Sequence, residues 1–293
     1  MKNISKILAL LLALLLSATL FIACDSSSGA DADTNPVSGT EGGKDTTGTE
    51  TVGETSAPDA TETETTKATE TSASGSSGSG SSSTGQASIG LNYQNNNDGT
   101  CSISGRGTCT DTRIVIPSVI DGLKVTSIGR FAFAEASDIT EVVIPEGVTF
   151  IGKSAFNTCT ALESVVLPDS LETMDEYAFF GCTSLKTVTL GSGLKDLGRM
   201  AFSKCSALES IEIPAKVTEI KEDAFYHCTS LASVSLPAGI TDFGWRAFAE
   251  CASLTDIHFA GSQEAWGNIS KCSDWDYQNE HYTVHCADGD IVK

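Results

Sequence analysis

One pattern of residues recurs along this chain at a constant step of 23 positions. It has the form (Ile/Leu/Met/Phe)-Gly-x-x-Ala-Phe-x-x-Cys-x-x-Leu-x-x-(Val/Ile)-x-(Leu/Ile/Phe)-Pro, and its copies begin at Ile128, Ile151, Met174, Leu197, Ile220 and Phe243. A fixed period of this size is typical of a solenoid, in which each repeat stacks on its neighbours. We therefore predict a repeat solenoid. Because a solenoid offers a long repeated surface rather than one cleft, the prediction favours binding over catalysis.

Each copy contains a segment that predicts one short strand. In an extended segment Val165 and Leu167 share the inward face, while Ser164 and Val166 point outwards. Pro168 then ends the pairing, because proline has no N–H to donate. The Ala-Phe pair is expected to fill the opposite, convex side of the solenoid. The repeated phenylalanines should stack there as one buried column: Phe133, Phe156, Phe179, Phe202, Phe225 and Phe248.

The repeat resembles the BspA-like leucine-rich repeats of bacterial surface proteins, which carry an I-G-x-x-A-F-x-x-C-x-x-L signature. The flanks agree, since residues 99–129 resemble the usual opening segment of that family and residues 266–289 its usual closing segment. The resemblance covers residues 91–293. It implies a leucine-rich repeat solenoid of 23-residue units with short parallel strands, an N-terminal hairpin cap and a C-terminal cap. It also implies exposure at the cell surface and adhesion to host proteins or other cells, with a ligand that differs between members.

The first 23 residues have the features of an export signal. Lys2 and Lys6 form a basic start, and an apolar run follows over residues 7–23. The run ends in Phe21-Ile22-Ala23-Cys24, which resembles a bacterial lipobox. We predict a lipoprotein signal peptide over residues 1–23 and a lipid anchor on Cys24, at the extracellular face of the bacterial cell envelope. An ordinary cleaved signal and an uncleaved anchor helix are the alternatives.

Residues 24–88 are predicted to be the lipidated cysteine and a disordered tether. The stretch after Cys24 is dominated by Ser, Thr and Gly, with scattered acidic residues, and contains no aromatic residue. Such a segment cannot bury enough apolar surface to offset its chain entropy. Its expected reach is about 40–50 Å. O-glycosylation of its threonines is an alternative to a plain solvated spacer. The remaining chain divides into an N-terminal cap and first partial repeat over residues 89–127, six repeats over 128–265, and a C-terminal cap over 266–293.

The formal net charge of −20 limits the possible partners. Nucleic acids are excluded, because phosphate binding requires basic patches. The same charge opposes attachment of the folded domain to an anionic membrane face. The expected partners are therefore the membrane through the lipid anchor, and a host or bacterial surface protein or glycan.

The ten cysteines fall into three groups. Cys24 is the lipidation site. The five repeat cysteines are expected to form an inward ladder of buried thiols, because parallel side chains ~4.8 Å apart exceed the usual Cβ separation of a disulfide. Their predicted role is that of small apolar fillers. In the caps, Cys101 and Cys109 flank a possible hairpin turn at residues 105–107, and Cys272 and Cys286 lie near the C-terminus. Both cap pairs are candidate disulfides in an exported protein, with free thiols as the alternative.

The usual motifs of catalysis and metal binding give little support to either. His281-x-x-x-His285, near Cys272 and Cys286, invites a zinc hypothesis, but the intervening residues are strand-like rather than helical. The Asn95–Gly99 segment lacks the glutamate and spacing of a calcium loop, and is expected to be the turn of the N-terminal hairpin. The sequence contains neither G-x-S-x-G nor H-E-x-x-H. We expect a protein that is not an enzyme and has no cofactor or metal.

The outward positions of the predicted strands form the candidate ligand face on the concave side. Stacked in register, seven strands would make a sheet about 30 Å wide. Its centre is hydroxyl-rich and its rims are charged, and it has no aromatic anchor of the kind common at protein hot spots. We therefore expect weak contacts made multivalent by many tethered copies. A non-adhesive envelope scaffold or spacer is the alternative. The candidate ligand residues are Glu141, Ser164, Thr187, Thr189, Ser210, Glu212, Ser233, Ser235, Asp256 and His258.

Overall fold

The computed structural model describes residues 86–293. The predictions for the signal peptide, for Cys24 and for nearly all of the tether lie outside this range. The elements in chain order are β1 (Asn92–Asn95), β2 (Thr100–Gly105), β3 (Arg113–Val115), β4 (Val119–Ile120), β5 (Leu123–Ile128), β6 (Glu141–Val143), β7 (Phe150–Ile151), β8 (Ser164–Val166), β9 (Thr173–Met174), β10 (Thr187–Thr189), β11 (Asp196–Leu197), β12 (Ser210–Glu212), β13 (Glu219–Ile220), β14 (Ser233–Leu236), β15 (Asp242–Phe243), β16 (Asp256–Phe259), α1 (Gln263–Asn268), β17 (Ser270–Lys271), β18 (Thr283–Cys286) and β19 (Gly289–Val292). No helix among the described residues is long and apolar enough to cross a membrane.

Each rung of the solenoid contributes one strand to each of two sets of sheets. The first set, which we call the strand face, has the order β3-β6-β8-β10 and, separately, β12-β14-β16-β18-β19. The second set has the order β1-β2-β5-β7-β9-β11 and, separately, β13-β15-β17, while β4 pairs with β5. Paired residues in the rungs between the two ends are 23 positions apart, as in the parallel pair of Ser164 with Thr187. The predicted leucine-rich repeat solenoid is confirmed.

The strand face differs in two ways from the single seven-stranded sheet that the sequence predicts. It is interrupted between β10 and β12, so it is not one continuous sheet. It is also longer at its C-terminal end, where β18 of the cap pairs in parallel with β16, and β19 pairs antiparallel with β18.

A column of stacked phenylalanines forms the middle of the core, as the sequence predicts. Neighbouring rings lie 5.0–5.7 Å apart between centroids, with interplanar angles of 2–9°. Ala178 and Phe179 illustrate the packing, since both are fully buried. The column runs through the turn segments that follow the second-set strands, which we call the turn side.

Two residues in each turn segment have left-handed backbone conformations. The first of them is Phe131, Ser154, Tyr177, Met200, Asp223 or Arg246, and the second is Glu135, Thr158, Gly181, Lys204, His227 or Glu250. Left-handed conformations are unusual for residues other than glycine, and they are retained here because every rung hydrogen-bonds to the next. The Phe156 N–H, for example, donates to the Ala178 carbonyl at 2.8 Å.

The five repeat cysteines are buried thiols, as predicted, and each also makes a hydrogen bond. The Sγ atom of each donates to the carbonyl of the phenylalanine 26 positions earlier, at 3.1–3.2 Å. Cys205 thus donates to Phe179. At the last rung Asn279 takes over this task, with its Nδ2 2.8 Å from the Phe248 carbonyl.

Both ends of the solenoid are covered. A β1/β2 hairpin lies at the N-terminal end, and its turn spans residues 96–99, as predicted. The cap extends further back than residue 89, because Ser88 is buried and its N–H donates to the Val115 carbonyl at 2.8 Å. At the C-terminal end Trp266, Trp275 and Tyr282 are buried and close the core.

Candidate binding face

The strand face presents two rows of outward side chains, each divided by the interruption between β10 and β12. The parallel registers align the first row along Arg113, Glu141, Ser164 and Thr187 and, beyond the interruption, along Ser210, Ser233, Asp256 and Thr283. They align the second row along Val115, Val143, Val166 and Thr189 and, beyond the interruption, along Glu212, Ser235, His258 and His285. The structure therefore brings all ten candidate ligand residues onto one face, and its cap strand adds Thr283 and His285.

The chemistry of the two rows changes along the solenoid. The N-terminal part carries an Arg113–Glu141 ion pair, with Nε 2.8 Å from Oε2, beside a stripe of valines. Val166 in this stripe is 62% exposed. Towards the C-terminus the valines give way to Thr189, Glu212 and then histidine. The N-terminal end of the strand face therefore combines an ion pair with an apolar stripe, whereas the C-terminal end carries charged and hydrogen-bonding groups.

A histidine–carboxylate cluster forms the C-terminal end of the strand face. The His285 ring lies between two carboxylates, with Nε2 2.9 Å from Asp256 Oδ1 and Nδ1 3.0 Å from Asp290 Oδ1. The His258 ring stacks on it at 4.9 Å. The hydrogen bonds that the His285 ring donates to Asp256 and, with a smaller effect, to Asp290 raise the pKa of His285 above its usual 6.5. The hydrogen bond with His285 lowers the pKa of Asp256.

Sequence analysis identified Asp256 and His258 but missed the roles of His285 and Asp290. The segment before His285 is recognisably strand-like, yet β18 follows β16 at a spacing of 27 residues instead of 23. Helix α1 lies between β16 and β18, so the 23-residue period cannot be used to predict which residues of β18 pair with β16.

The described residues contain no group of three or more His, Cys, Asp or Glu side chains placed to hold a metal ion. Both ring nitrogens of His285 face carboxylates, and His281 is exposed on the cap.

The cap cysteines do not have the geometry expected for the N-terminal pair. Residues 105–107 are not the turn of a hairpin, because β2 pairs antiparallel with β1 on one side and in parallel with β5 on the other. Cys101 therefore lies opposite Asn95 instead of Cys109. Cys101, Cys109 and Cys286 carry free thiols in the structure. Neither candidate disulfide, Cys101–Cys109 or Cys272–Cys286, is formed in it, and oxidation of the cap pairs stays a prediction.

None of the exposed Phe, Trp and Tyr side chains of the described residues lies on the strand face: Phe150 is on β7 of the second set, and the others are on the turn side. Trp245 is 41% exposed and Tyr277 53% exposed. The Arg246 guanidinium carbon lies 3.7 Å from the Trp245 ring centroid and 4.5 Å from that of Tyr226. These residues occupy the variable positions of the repeat pattern, where a single sequence gives little guidance about exposure.

A groove of about 730 Å³ opens along the C-terminal ends of the strand-face strands. It begins beside Val188 and Leu190 and continues past Ser235 to His258 and His285. It therefore joins the interruption in the sheet to the histidine–carboxylate cluster.

Short in-register parallel strands at a 23-residue spacing, with an outward strand face, define a leucine-rich repeat protein. Within that class, the BspA-type leucine-rich repeat region matches the chain in six copies, over residues 109–190 and 150–271. These matches span more than half of the chain, and the chain belongs to this family.

Solved structures include several similar leucine-rich repeat proteins. One from T. pallidum is 32% identical, with a TM-score of 0.54, over 57% of this chain and 78% of that one. A leucine-rich cell surface protein from Faecalibacterium prausnitzii A2-165 is 19% identical, with a TM-score of 0.39, over 66% of this chain and 99% of that one. The pneumococcal vaccine antigen PcpA is 20% identical, with a TM-score of 0.46, over 58% of this chain and 42% of that one. No curated protein matches the chain.

Proposed function

We propose that this chain is a lipid-anchored protein of the bacterial cell surface whose strand face binds a protein or glycan of a host matrix or neighbouring cell. The observation that carries the proposal is the strand face itself. It presents two rows of eight outward side chains, in register on either side of the interruption between β10 and β12, from Arg113 at one end to His285 at the other. Leucine-rich repeat proteins are binding scaffolds, and a long regular surface suits a macromolecular partner better than a small substrate.

The proposed location rests on the N-terminal sequence and on family membership. The lipobox-like Phe21-Ile22-Ala23-Cys24 would place two or more acyl chains on Cys24, which is enough for stable anchoring. The acidic Ser/Thr/Gly-rich tether would hold the solenoid away from the membrane.

The strand face suits weak contacts repeated over many copies. Its centre carries small hydroxyl residues, Thr187, Ser210 and Ser233, which offer hydrogen bonds without a large buried anchor. Many tethered copies on one cell would raise the overall binding strength by increasing the effective concentration.

The first test is binding of residues 25–293 to a panel of extracellular-matrix proteins and glycans. A variant with Thr187→Glu, Thr189→Glu, Ser210→Glu and Ser233→Glu places four charges at the centre of the strand face. Thr149→Glu, Thr218→Glu and Thr241→Glu make the matched control, because these threonines are exposed outside the strand face. We expect a partner whose binding survives the control substitutions and is lost in the strand-face variant.

Unchanged binding in the strand-face variant would contradict the proposed site. No binding across the panel, together with concentration-dependent assembly in sedimentation, would instead support a structural envelope scaffold.

A further inference from the structure

The solenoid contains one rung interface at which both sets of strands lose their pairing. Neither β10 with β12 nor β11 with β13 forms a ladder, although every other pair of consecutive rungs from β3 to β18 does so on the strand face. The two rungs still meet where the strands begin. The Glu209 N–H donates to the Lys186 carbonyl at 3.3 Å, compared with 2.9 Å for the equivalent bond from Ala232 to Glu209. The interface is therefore a wedge that is closed at Lys186 and opens towards Leu190.

The cause lies in a local departure from the repeat pattern. The rung of β8 continues as Leu167-Pro168-Asp169-Ser170, whereas the rung of β10 continues as Leu190-Gly191-Ser192-Gly193. A Cβ atom on Gly191 would lie 1.9 Å from the Pro168 carbonyl oxygen, and one on Gly193 would lie 2.1 Å from the Asp169 carbonyl oxygen. Only glycine permits this approach. The loop therefore packs down on the preceding rung and leaves a gap towards the following one.

The gap exposes side chains that belong to the core. Val188 and Leu190 are half-buried, whereas their counterparts Val165 and Leu167 in the preceding rung are 2% exposed. Ile213 and Pro214 of the following rung form the opposite wall of the groove. The result is an apolar slot between two rungs, which we call the inter-rung slot.

Carboxylates lie on both sides of the slot. Asp169 and Glu212 line the groove, and its lining contains no lysine or arginine. Glu212 has no ion-pair partner among the described residues. Hydrogen bonds from the Ser192 N–H and hydroxyl lower the pKa of Asp169, and Lys216 on the rung after the slot adds a smaller contribution. An apolar slot flanked by carboxylates is complementary to an apolar side chain with cationic neighbours.

We propose that the inter-rung slot binds one large apolar side chain from an extended segment of a partner protein, with lysine or arginine beside it. The carboxylates of Asp169 and Glu212 hold the cationic neighbours, and Val188, Leu190 and Ile213 surround the apolar side chain. This inference rests on the proposed function, because it names the kind of partner that the strand face receives.

The test uses defined peptides and residues 25–293 labelled at isoleucine, leucine and valine methyl groups for NMR. The probe is acetyl-Gly-Lys-Leu-Lys-Gly-amide. Its comparisons replace leucine with serine, or both lysines with glutamate. We expect the probe to shift the methyl signals of Val188, Leu190 and Ile213. Each comparison peptide should bind at least roughly tenfold more weakly, the serine peptide because it loses the buried apolar side chain and the glutamate peptide because its charges oppose Asp169 and Glu212.

Two variants locate the binding. Gly191→Pro with Ser192→Asp and Gly193→Ser restores the loop of the preceding rung, and should close the slot and abolish the methyl shifts. Glu212→Lys leaves the backbone of the slot intact and should weaken the lysine peptide at least tenfold. Glu219→Lys is its matched control, because Glu219 is exposed on β13 outside the groove, and should bind the peptide normally.

Absence of methyl shifts with all three peptides would overturn the inference, as would equal binding by the parent chain and Glu212→Lys. The result is independent of the panel experiment. Binding of a partner to the strand face without peptide binding in the slot would remove only this inference. Peptide binding in the slot with a silent panel would instead count against the adhesive function.

Discussion

At the scale of single residues, the five repeat cysteines are both apolar core residues and hydrogen-bond donors. The 23-residue period predicts that they are buried, but it does not reveal that their thiols donate to phenylalanine carbonyls. Those carbonyls point towards the thiols because the intervening turn contains two left-handed residues. Ala136, at the ladder position of the first repeat, has no earlier phenylalanine of the column to satisfy. The donor role therefore explains where the cysteines begin as well as where Asn279 replaces them.

Comparing Cys205→Ala with Cys205→Ser tests the donor role directly. Both substitutions remove similar volume, but only serine retains a hydrogen-bond donor for the Phe179 carbonyl. We expect the alanine variant to be less stable than the serine variant by about 1–3 kcal/mol, the usual penalty for a buried unsatisfied polar group. Urea unfolding followed by circular dichroism measures the difference. Equal stability of the two variants would show that the thiol acts only as a small apolar group, as the sequence alone suggests.

The ladder thiols should also be chemically inert in the folded chain. Burial raises the pKa of Cys205 and of Cys251 to about 12, so almost no thiolate is present near neutral pH. We expect a thiol reagent such as DTNB at pH 8 to leave these two cysteines unmodified until denaturant is added, while the half-exposed Cys286 reacts first. Mass spectrometry of the modified peptides identifies the sites. Modification of Cys205 in the native chain would show that the rungs open readily.

At the scale of elements, neighbouring rungs on the turn side are joined by a buried ion pair. Asp223 is fully buried, and its carboxylate lies 2.9 Å from Arg246 Nη2. Arg246 Nε is 2.8 Å from the other carboxylate oxygen, a close ionic contact that lacks the angle of a hydrogen bond. The pair bridges the turn segments of two rungs, and without Arg246, whose side chain is 27% exposed, the Asp223 carboxylate would be buried without compensation.

Arg246→Met should therefore destabilise the fold by about 3–5 kcal/mol, whereas adding Asp223→Ser to it should recover most of the loss. Serine is the natural residue at the equivalent position 154 of an earlier repeat. Lys195→Met is the matched control, because its ion pair with Glu172 is exposed and worth less than about 1 kcal/mol. Thermal or urea unfolding of the four chains provides the comparison. If the Arg246→Met/Asp223→Ser variant were as unstable as Arg246→Met alone, the uncompensated Asp223 charge would not be the cause of the destabilisation.

The C-terminal cap should respond to pH through His285. Its pKa is raised in the folded chain, so its protonated form contributes stability that is fully present below the usual value of 6.5 and is lost as the pH rises through the folded value. The pKa of Asp256 is lowered, so its contribution is present above the usual value of 3.8 and is lost as the pH falls through its folded value. The cap attachment is therefore strongest between these two limits.

Hydrogen exchange of the β18 and β19 amides should accelerate as the pH is raised above 7, beyond the intrinsic change in exchange rate. His285→Gln should remove this excess. His281→Gln is the control, because His281 is exposed and forms no part of the cluster. The same pH dependence in all three chains would show that a group other than His285 causes the pH-dependent stability of the cap.

These elements also mark where sequence-based prediction succeeds and fails. Thr187, Ser210 and Ser233 were placed correctly on one face because a strand alternates its side chains and the step between rungs is constant. His285 was missed because helix α1 breaks that step. The inter-rung slot was missed because Gly191 fits the general pattern of a turn, and only the distance to the Pro168 carbonyl shows what the missing side chain permits.

At the scale of the whole molecule, stability is expected to be the sum of rung stabilities and of the interfaces between neighbouring rungs. The interface between the rungs of β10–β11 and β12–β13 is the weakest, because it lacks both strand ladders. Apart from the Glu209-to-Lys186 bond where the strands begin, its remaining backbone hydrogen bonds lie on the turn side, where the Phe202 N–H donates to the Ala224 carbonyl at 2.9 Å. Its ring pair, Phe202 with Phe225, is also the most widely spaced of the phenylalanine column, at 5.7 Å. The phenylalanine column and the turn-side hydrogen bonds are therefore the main contacts between two halves that the sheets do not join.

Removing a phenylalanine at this interface should separate the two halves during unfolding. Phe202→Ala should lower stability by about 3–5 kcal/mol, as should Phe156→Ala in a regular part of the column. All three tryptophans, Trp245, Trp266 and Trp275, lie after the interface, so their fluorescence reports the C-terminal half, whereas circular dichroism reports both halves. In urea, the two signals should change together for Phe156→Ala and at different concentrations for Phe202→Ala. Coincident transitions in both variants would mean that the turn side alone couples the rungs as firmly as the strand ladders do elsewhere.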